Sequence, residues 1–223
     1  MKHGLLKQSL RKFLLGVVIM GLLLFVPAGS LRYWNAWLMM GILFVPMIVA
    51  GMLLLAKNPE LLRKRLQAKE EQKEQRTVVL LSSVLFISTF LLAGLNWRYD
   101  WLSLPDWVIW TSVAFFLVSY LLYVEVLREN TYLSRTIEVQ QDQKVIDTGL
   151  YGIVRHPMYM ATTIMFLAMP LVLGSPCSFI LMLLYVPLIV KRTRNEETIL
   201  EKGLDGYKEY KQKVKYKMIP FVW

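Results

Sequence analysis

Residues 155–197 read RHPMYMATTIMFLAMPLVLGSPCSFILMLLYVPLIVKRTRNEE. They give a polar end, an apolar run from Met158 to Leu173, the turn Gly174-Ser175-Pro176, a second apolar run from Phe179 to Val190, and another polar end. Gly-Ser-Pro between apolar runs signals a turn and a new helix start, so the stretch predicts a helical hairpin. A tight turn at one end of a hairpin brings the two open ends together. Arg155, His156 and Tyr159 should therefore meet Arg192, Glu196 and Glu197 at one boundary of whatever medium buries the hairpin. The second arm is short for a full crossing, which predicts a tilted or incompletely spanning pair.

That medium is a membrane. The chain has 223 residues, 56% of them hydrophobic and 19% charged, more apolar than soluble domains usually are. Working toward the N-terminus, Trp107–Val124, Val78–Leu95, Trp34–Ala56 and Phe13–Ala28 are four more apolar runs of helical length. The expected fold is all-α: a polytopic integral-membrane bundle of five to six embedded helices, with a C-terminal hairpin. Residues 1–127 hold the N-terminal spans and a charged surface loop, 57–76, read as an amphipathic helix. Residues 128–223 form a C-terminal core of connector, hairpin (157–190) and charged tail. Within the connector, Thr136–Gln140 alternates as a short strand or extended loop would.

The net charge of +10 does not point to nucleic acid, because the Lys and Arg stand at the ends of apolar runs, where they face anionic headgroups. The N-terminus, the 57–76 loop, the 125–156 segment and the tail are basic, while the intervening connectors are nearly bare. That asymmetry predicts both termini and the polar clusters on the cytoplasmic face. A single cysteine, Cys177, and two histidines give no disulfide framework and no metal-ligand cluster. Gly149 and Gly152 make only a GxxG spacing, without a βαβ context. The tyrosines Tyr207, Tyr210 and Tyr216 among lysines read as a surface-lying segment, with Tyr207 a lesser candidate to close a pocket.

Taken singly, each polar residue near the hairpin can be explained as a snorkelling cation or a solvated helix end. Together they are harder to explain so. Adjacent carboxylates at an anionic surface repel each other and the lipid unless cations, hydroxyls or a ligand meet them.

The ordered set Gly149-Leu150-Tyr151, Arg155-His156-Pro157-Met158-Tyr159, Gly174-Ser175, Arg192-x-x-x-Glu196-Glu197 and Gly206-Tyr207-x-x-Tyr210 resembles the C-terminal signature of the isoprenylcysteine carboxyl methyltransferase family. The membrane phospholipid N-methyltransferases share parts of that signature. The resemblance covers roughly residues 128–220. It implies a membrane transferase that binds S-adenosylmethionine beside the last helices and takes a lipid-like or prenylated acceptor from the bilayer. Carried over by position, His156, Tyr159 and Glu196 are cofactor contacts, with Gly149, Tyr151 and Arg155 beside them; Arg192 and Glu197 match positions associated with acceptor orientation and catalysis. Two departures stand out. Leu150 replaces a common Pro, and Ala161 replaces a common Gly.

The residue types suit that chemistry. A carboxylate suits the ammonium or ribose hydroxyls of the cofactor, Arg155 its carboxylate, and Tyr151 or Tyr159 its cationic and aromatic parts. A carboxylate acceptor arrives ionised and needs only Arg192 to hold it, whereas an amine would first lose a proton to Glu197 or His156. Alternatives are an amine N-methyltransferase, an NADPH-dependent enzyme like the membrane sterol reductases, and a scaffold without catalysis.

Overall fold

The computed structural model describes residues 2–66, 73–133, 139 and 142–223. Among them every regular element is a helix: α1 (Lys2–Ala28), α2 (Trp34–Lys57), α3 (Pro59–Leu66), α4 (Lys73–Tyr99), α5 (Asp106–Glu129), a 3-10 turn (Gly149–Gly152), α6 (Pro157–Val172), α7 (Pro176–Met182), α8 (Tyr185–Gly203) and α9 (Tyr207–Lys213). Five segments are long and apolar enough to cross a membrane: Gly4–Ala28, Trp34–Lys57, Arg76–Tyr99, Asp106–Glu129 and Pro176–Gly203. The expected all-α membrane bundle is the fold observed.

Lipid tails are as apolar as leucine, so such helices are held by close packing rather than by exclusion of water. α5 runs along α6 and α1 along α4, with α7 packed on both α4 and α6. Ala28, Ala36, Ala93 and Ala168 sit fully or nearly buried at these contacts with Leu24, Met39 and Phe116. Gly94 is where α1 and α4 come closest: a Cβ there would lie 2.6 Å from the Leu24 carbonyl oxygen. No side chain fits.

Polar bonds set which ends lie together. Tyr33, at the start of α2, donates from its hydroxyl to the Leu173 carbonyl at 2.6 Å, and Asn35 Nδ2 donates to the Val172 carbonyl at 3.0 Å. Both satisfy carbonyls that the end of α6 leaves open. The ends of α1, α4 and α6 therefore lie with the start of α2. At the opposite end, Lys12 Nζ of α1 donates to the Leu66 carbonyl of α3, and there α6 begins at Pro157.

The hairpin departs from expectation. Its first arm is the short one: α6 has 16 residues, about 24 Å at ~1.5 Å per residue. The second arm is long but broken, with α7 ending at Met182 and α8 starting at Tyr185. Pro187 falls in the first turn of α8, where its missing N–H costs nothing, so the helix restarts just before it. The backbone then stays helical through the charged residues to Gly203.

Other boundaries shift for similar reasons. Asn96–Tyr99, read as a connector, is the last turn of α4. Asn96 donates from Nδ2 to the Leu102 carbonyl at 2.8 Å, and Asp100 ends the helix at a positive φ of 48°. The 57–76 loop contributes α3, capped by Asn58 Oδ1 accepting from the Leu61 amide at 3.1 Å, and the first turn of α4; residues 67–72 between them lie outside the described residues. So does the Thr136–Gln140 alternation, apart from Val139.

Candidate functional site

The site is built on the turn that leads into α6. Gly149 adopts a positive φ of 52° with the Glu129 carboxylate packed where a Cβ would be. Glu129 Oε2 accepts from the Leu150 amide at 3.1 Å, tying the turn to the end of α5. Tyr151 is pinned at both ends: its hydroxyl accepts from Asn130 Nδ2 at 2.9 Å, and its carbonyl accepts from the Tyr210 hydroxyl at 2.7 Å. Segment 155–156 then pairs with the tail, the Arg155 amide donating to the Tyr216 carbonyl at 2.9 Å and the His156 amide to the Lys217 carbonyl at 2.8 Å.

Beneath this segment is a sealed ionic knot. Arg155 Nε donates to Glu197 Oε1 at 2.7 Å, and its Nη1 donates to the carbonyls of Val214 and Lys215 at 2.6 and 2.8 Å. Lys217 Nζ reaches Glu197 Oε2 at 3.0 Å, and His156 Nε2 lies 3.4 Å from Glu197 Oε1. Two cations and an imidazole thus meet one carboxylate, which compensates its desolvation.

One helical turn away lies a second cluster. Tyr159 donates its hydroxyl proton to Glu196 Oε2 and accepts from Arg192 Nε at 3.1 Å. Its ring stacks on that of His156, with centroids 5.6 Å apart and planes 11° apart. Pro157 opens α6 at its first position, so the chain can turn sharply at His156 and still present Tyr159 to α8.

These groups face a cavity of about 830 Å³, its open mouth included, lined by Tyr151, Arg155, His156, Tyr159, Arg192 and Glu196 from the predicted set. Glu197 and Gly149 do not line it; they stand behind the wall and shape it. Asn130, Tyr132, Lys144 and Tyr207 line it too, and Leu133, Met158, Leu200 and Leu204 give it an apolar side.

Tyr207 was undervalued by the sequence reading. It is 3% exposed, and its hydroxyl is buried without a hydrogen-bond partner among the described residues. Burial, with Glu197 and Glu196 nearby, pushes the phenol well above its ordinary range and keeps it a donor. α9 is amphipathic and exposes Lys208, Glu209, Gln212 and Lys213, but its tyrosine face is turned into the protein. Tyr207, Tyr210 and Val214 form a small core with Leu204, against which Val139, Val145 and Leu200 pack. Their i, i+3, i+7 spacing was the available signal, masked by the lysines between them.

A buried phenol, a carboxylate and a guanidinium thus converge on one cavity in an apolar helical bundle, the architecture of an integral membrane protein. Comparison with known proteins sharpens this. The phospholipid methyltransferase family model matches residues 107–205, from α5 to just past the end of α8, and this match supports a membrane methyltransferase. The chain is also similar to the Delta(14)-sterol reductase TM7SF2 of Mus musculus, 33% identical over 91 residues, which are 40% of this chain and 22% of that protein. The matched part is thus about a fifth of that relative's length. Among the described residues no group of three or more His, Cys, Asp or Glu is placed to hold a metal.

Proposed function

We propose that the chain is an S-adenosylmethionine-dependent membrane methyltransferase acting on a lipid-like or prenylated carboxylate, with its site and both termini on the cytoplasmic side. The observation that carries this reading is the convergence of Tyr159, Arg192 and Glu196 on one cavity with the hydroxyl of Tyr207, which has no hydrogen-bond partner among the described residues. When bound, S-adenosylmethionine supplies an electrophilic methyl group. Glu196 would hold its ammonium or ribose hydroxyls, Tyr207 would donate to one of its acceptor atoms, and the stacked rings of His156 and Tyr159 would give it an aromatic wall. Arg155 is taken up by Glu197 and the tail carbonyls. We therefore give Arg155, Glu197 and Gly149 positioning roles, and leave Arg192 to orient the acceptor.

The hold on Glu197 favours a carboxylate acceptor. Glu197 is held by Arg155 and Lys217, which makes it a poor proton acceptor. An already ionised carboxylate needs none. The apolar side formed by Leu133, Met158, Leu200 and Leu204 suits an amphiphile's tail, and the phospholipid methyltransferase match supports a lipid substrate.

The similarity to a sterol reductase favours a second reading, in which the same cavity takes NADPH. The charge inventory weighs against it: a dinucleotide with three phosphates needs several free cations, and of the lining cations among the described residues, Lys144, Arg155 and Arg192, Arg155 is already spent. Calorimetry of the detergent-solubilised protein separates the two. Binding of S-adenosylhomocysteine with no heat from NADPH is expected, and the reverse pattern establishes the reductase reading. Arg192→Ala should lower turnover at saturating methyl donor, measured as tritium moved from labelled donor into membrane lipids.

A further inference from the structure

After pairing with Arg155 and His156, the tail leaves the site and returns to the flank of the bundle. Met218 is buried, its sulfur 3.5 Å from Thr193 Oγ1, and it shares an apolar cluster with Leu85, Met182, Tyr185 and Ile189. Those four side chains belong to the membrane-crossing segments Arg76–Tyr99 and Pro176–Gly203. From Met218 the chain closes into a clip. The amides of Met218 and Ile219 both donate to the Trp223 carbonyl at 2.9 Å, and those of Val222 and Trp223 donate to the Ile219 carbonyl at 3.1 and 3.0 Å. The Trp223 ring lies under the Lys217 ammonium, 5.1 Å from its centroid.

The clip turns its apolar side chains outward. Ile219, Phe221 and Val222 are 51%, 86% and 75% exposed, and Phe221 holds a positive φ of 64° to stay there. In bulk water such a patch gains nothing from its order. Its height on the bundle changes that account. Ile189 and Thr193 mark the stretch where α8 passes from apolar side chains to Lys191, Arg192 and Arg194, the boundary between hydrocarbon and headgroups. Lys191 and Lys215, both exposed, suit anionic headgroups there.

We propose that the Ile219–Val222 turn is a bilayer contact: it seats in the interfacial region beside α8 and anchors the 214–217 strap, which holds Arg155 and His156 in the cavity wall. The mechanical route is short. Lys217, next to the clip, reaches Glu197 with its ammonium and the His156 amide with its carbonyl; Tyr216 holds the Arg155 amide. This proposal is independent of which cofactor the cavity takes.

The only cysteine is Cys177, so in a Cys177→Ser background Phe221→Cys, Val222→Cys and Lys208→Cys can each be labelled with an environment-sensitive fluorophore. The labelled proteins are placed in phosphatidylcholine/phosphatidylglycerol nanodiscs. Quenching by lipids spin-labelled on the acyl chain and shielding from iodide are expected at 221 and 222, with the reverse at 208, on the exposed face of α9. Iodide quenching at 221 and 222 as strong as at 208 overturns the contact. For the anchoring, amide exchange of Arg155 and His156 should quicken several-fold in unlabelled Phe221→Ser/Val222→Ser protein, and equal exchange in both proteins overturns it.

Discussion

Arg155 and Glu197, 42 residues apart in sequence, meet Nε to Oε1 at 2.7 Å with side chains only 3% and 4% exposed. A pair so sealed is costly to break from one side, because the remaining charge stays buried. Arg155→Ala or Glu197→Ala should each destabilise the protein by about 3–5 kcal/mol, read from unfolding midpoints in detergent. The double substitution should cost less than the sum of the singles. Strictly additive losses would mean the two residues do not act as a pair.

Glu196 is the carboxylate on the cavity side. Glu196→Gln keeps its shape and its contact with Tyr159 but removes the charge, so unfolding should change little. Affinity for S-adenosylhomocysteine should fall by about 1–3 kcal/mol, the usual cost of losing a charged hydrogen-bond partner. Unchanged affinity would remove Glu196 from the proposed ligand shell.

Tyr207→Phe should move stability and affinity in opposite directions. The hydroxyl has no partner among the described residues, so deleting it should leave the melting temperature equal or higher. Binding of S-adenosylhomocysteine should weaken about tenfold, or ~1.4 kcal/mol. Parallel losses in both would mark the phenol as a structural group.

Alkali should loosen the tail first. Burial raises the folded-state pKa of Tyr207 and Tyr210 above the ordinary phenol value. The stability they contribute is therefore fully present below about pH 10 and is lost as the pH climbs from there toward the folded values. Unfolding midpoints followed from pH 8 to 11.5 should fall above pH 10. The fall should be shallower in Tyr210→Phe, which also loses the bond to the Tyr151 carbonyl.

Gly149→Ala should destabilise for two separable reasons. The added Cβ would overlap Glu129 Oε1 at 1.4 Å, and the φ of 52° disfavours any side chain. The double variant Glu129→Ala/Gly149→Ala should recover the steric part and retain a backbone cost of about 1–2 kcal/mol. No recovery in that double variant would place the constraint elsewhere.

Much of this was legible in the chain. Length and apolarity of the runs indicated the embedded helices, and the Gly174-Ser175-Pro176 turn indicated that Tyr159 and Glu196 would meet. What escaped depended on contacts between distant segments. Nothing local says that Arg155 is claimed by Val214 and Lys215, or that Gly149 yields space to Glu129. The broken helix at Leu183-Leu184 hinged on Pro187 falling in a first turn, and the burial of Tyr207 was hidden by the lysines around it.

The brevity of α6 carries a last consequence. A rod of 16 residues cannot reach both surfaces of hydrocarbon ~30 Å thick. Tyr33 and Asn35 pin its far tip, so the shortfall collects beneath His156. A span this short is met by local thinning of the hydrocarbon or by flanking polar side chains that reach to the interface; a dimple of that kind would let a water-borne reagent and an oil-borne one face each other without either leaving its own phase.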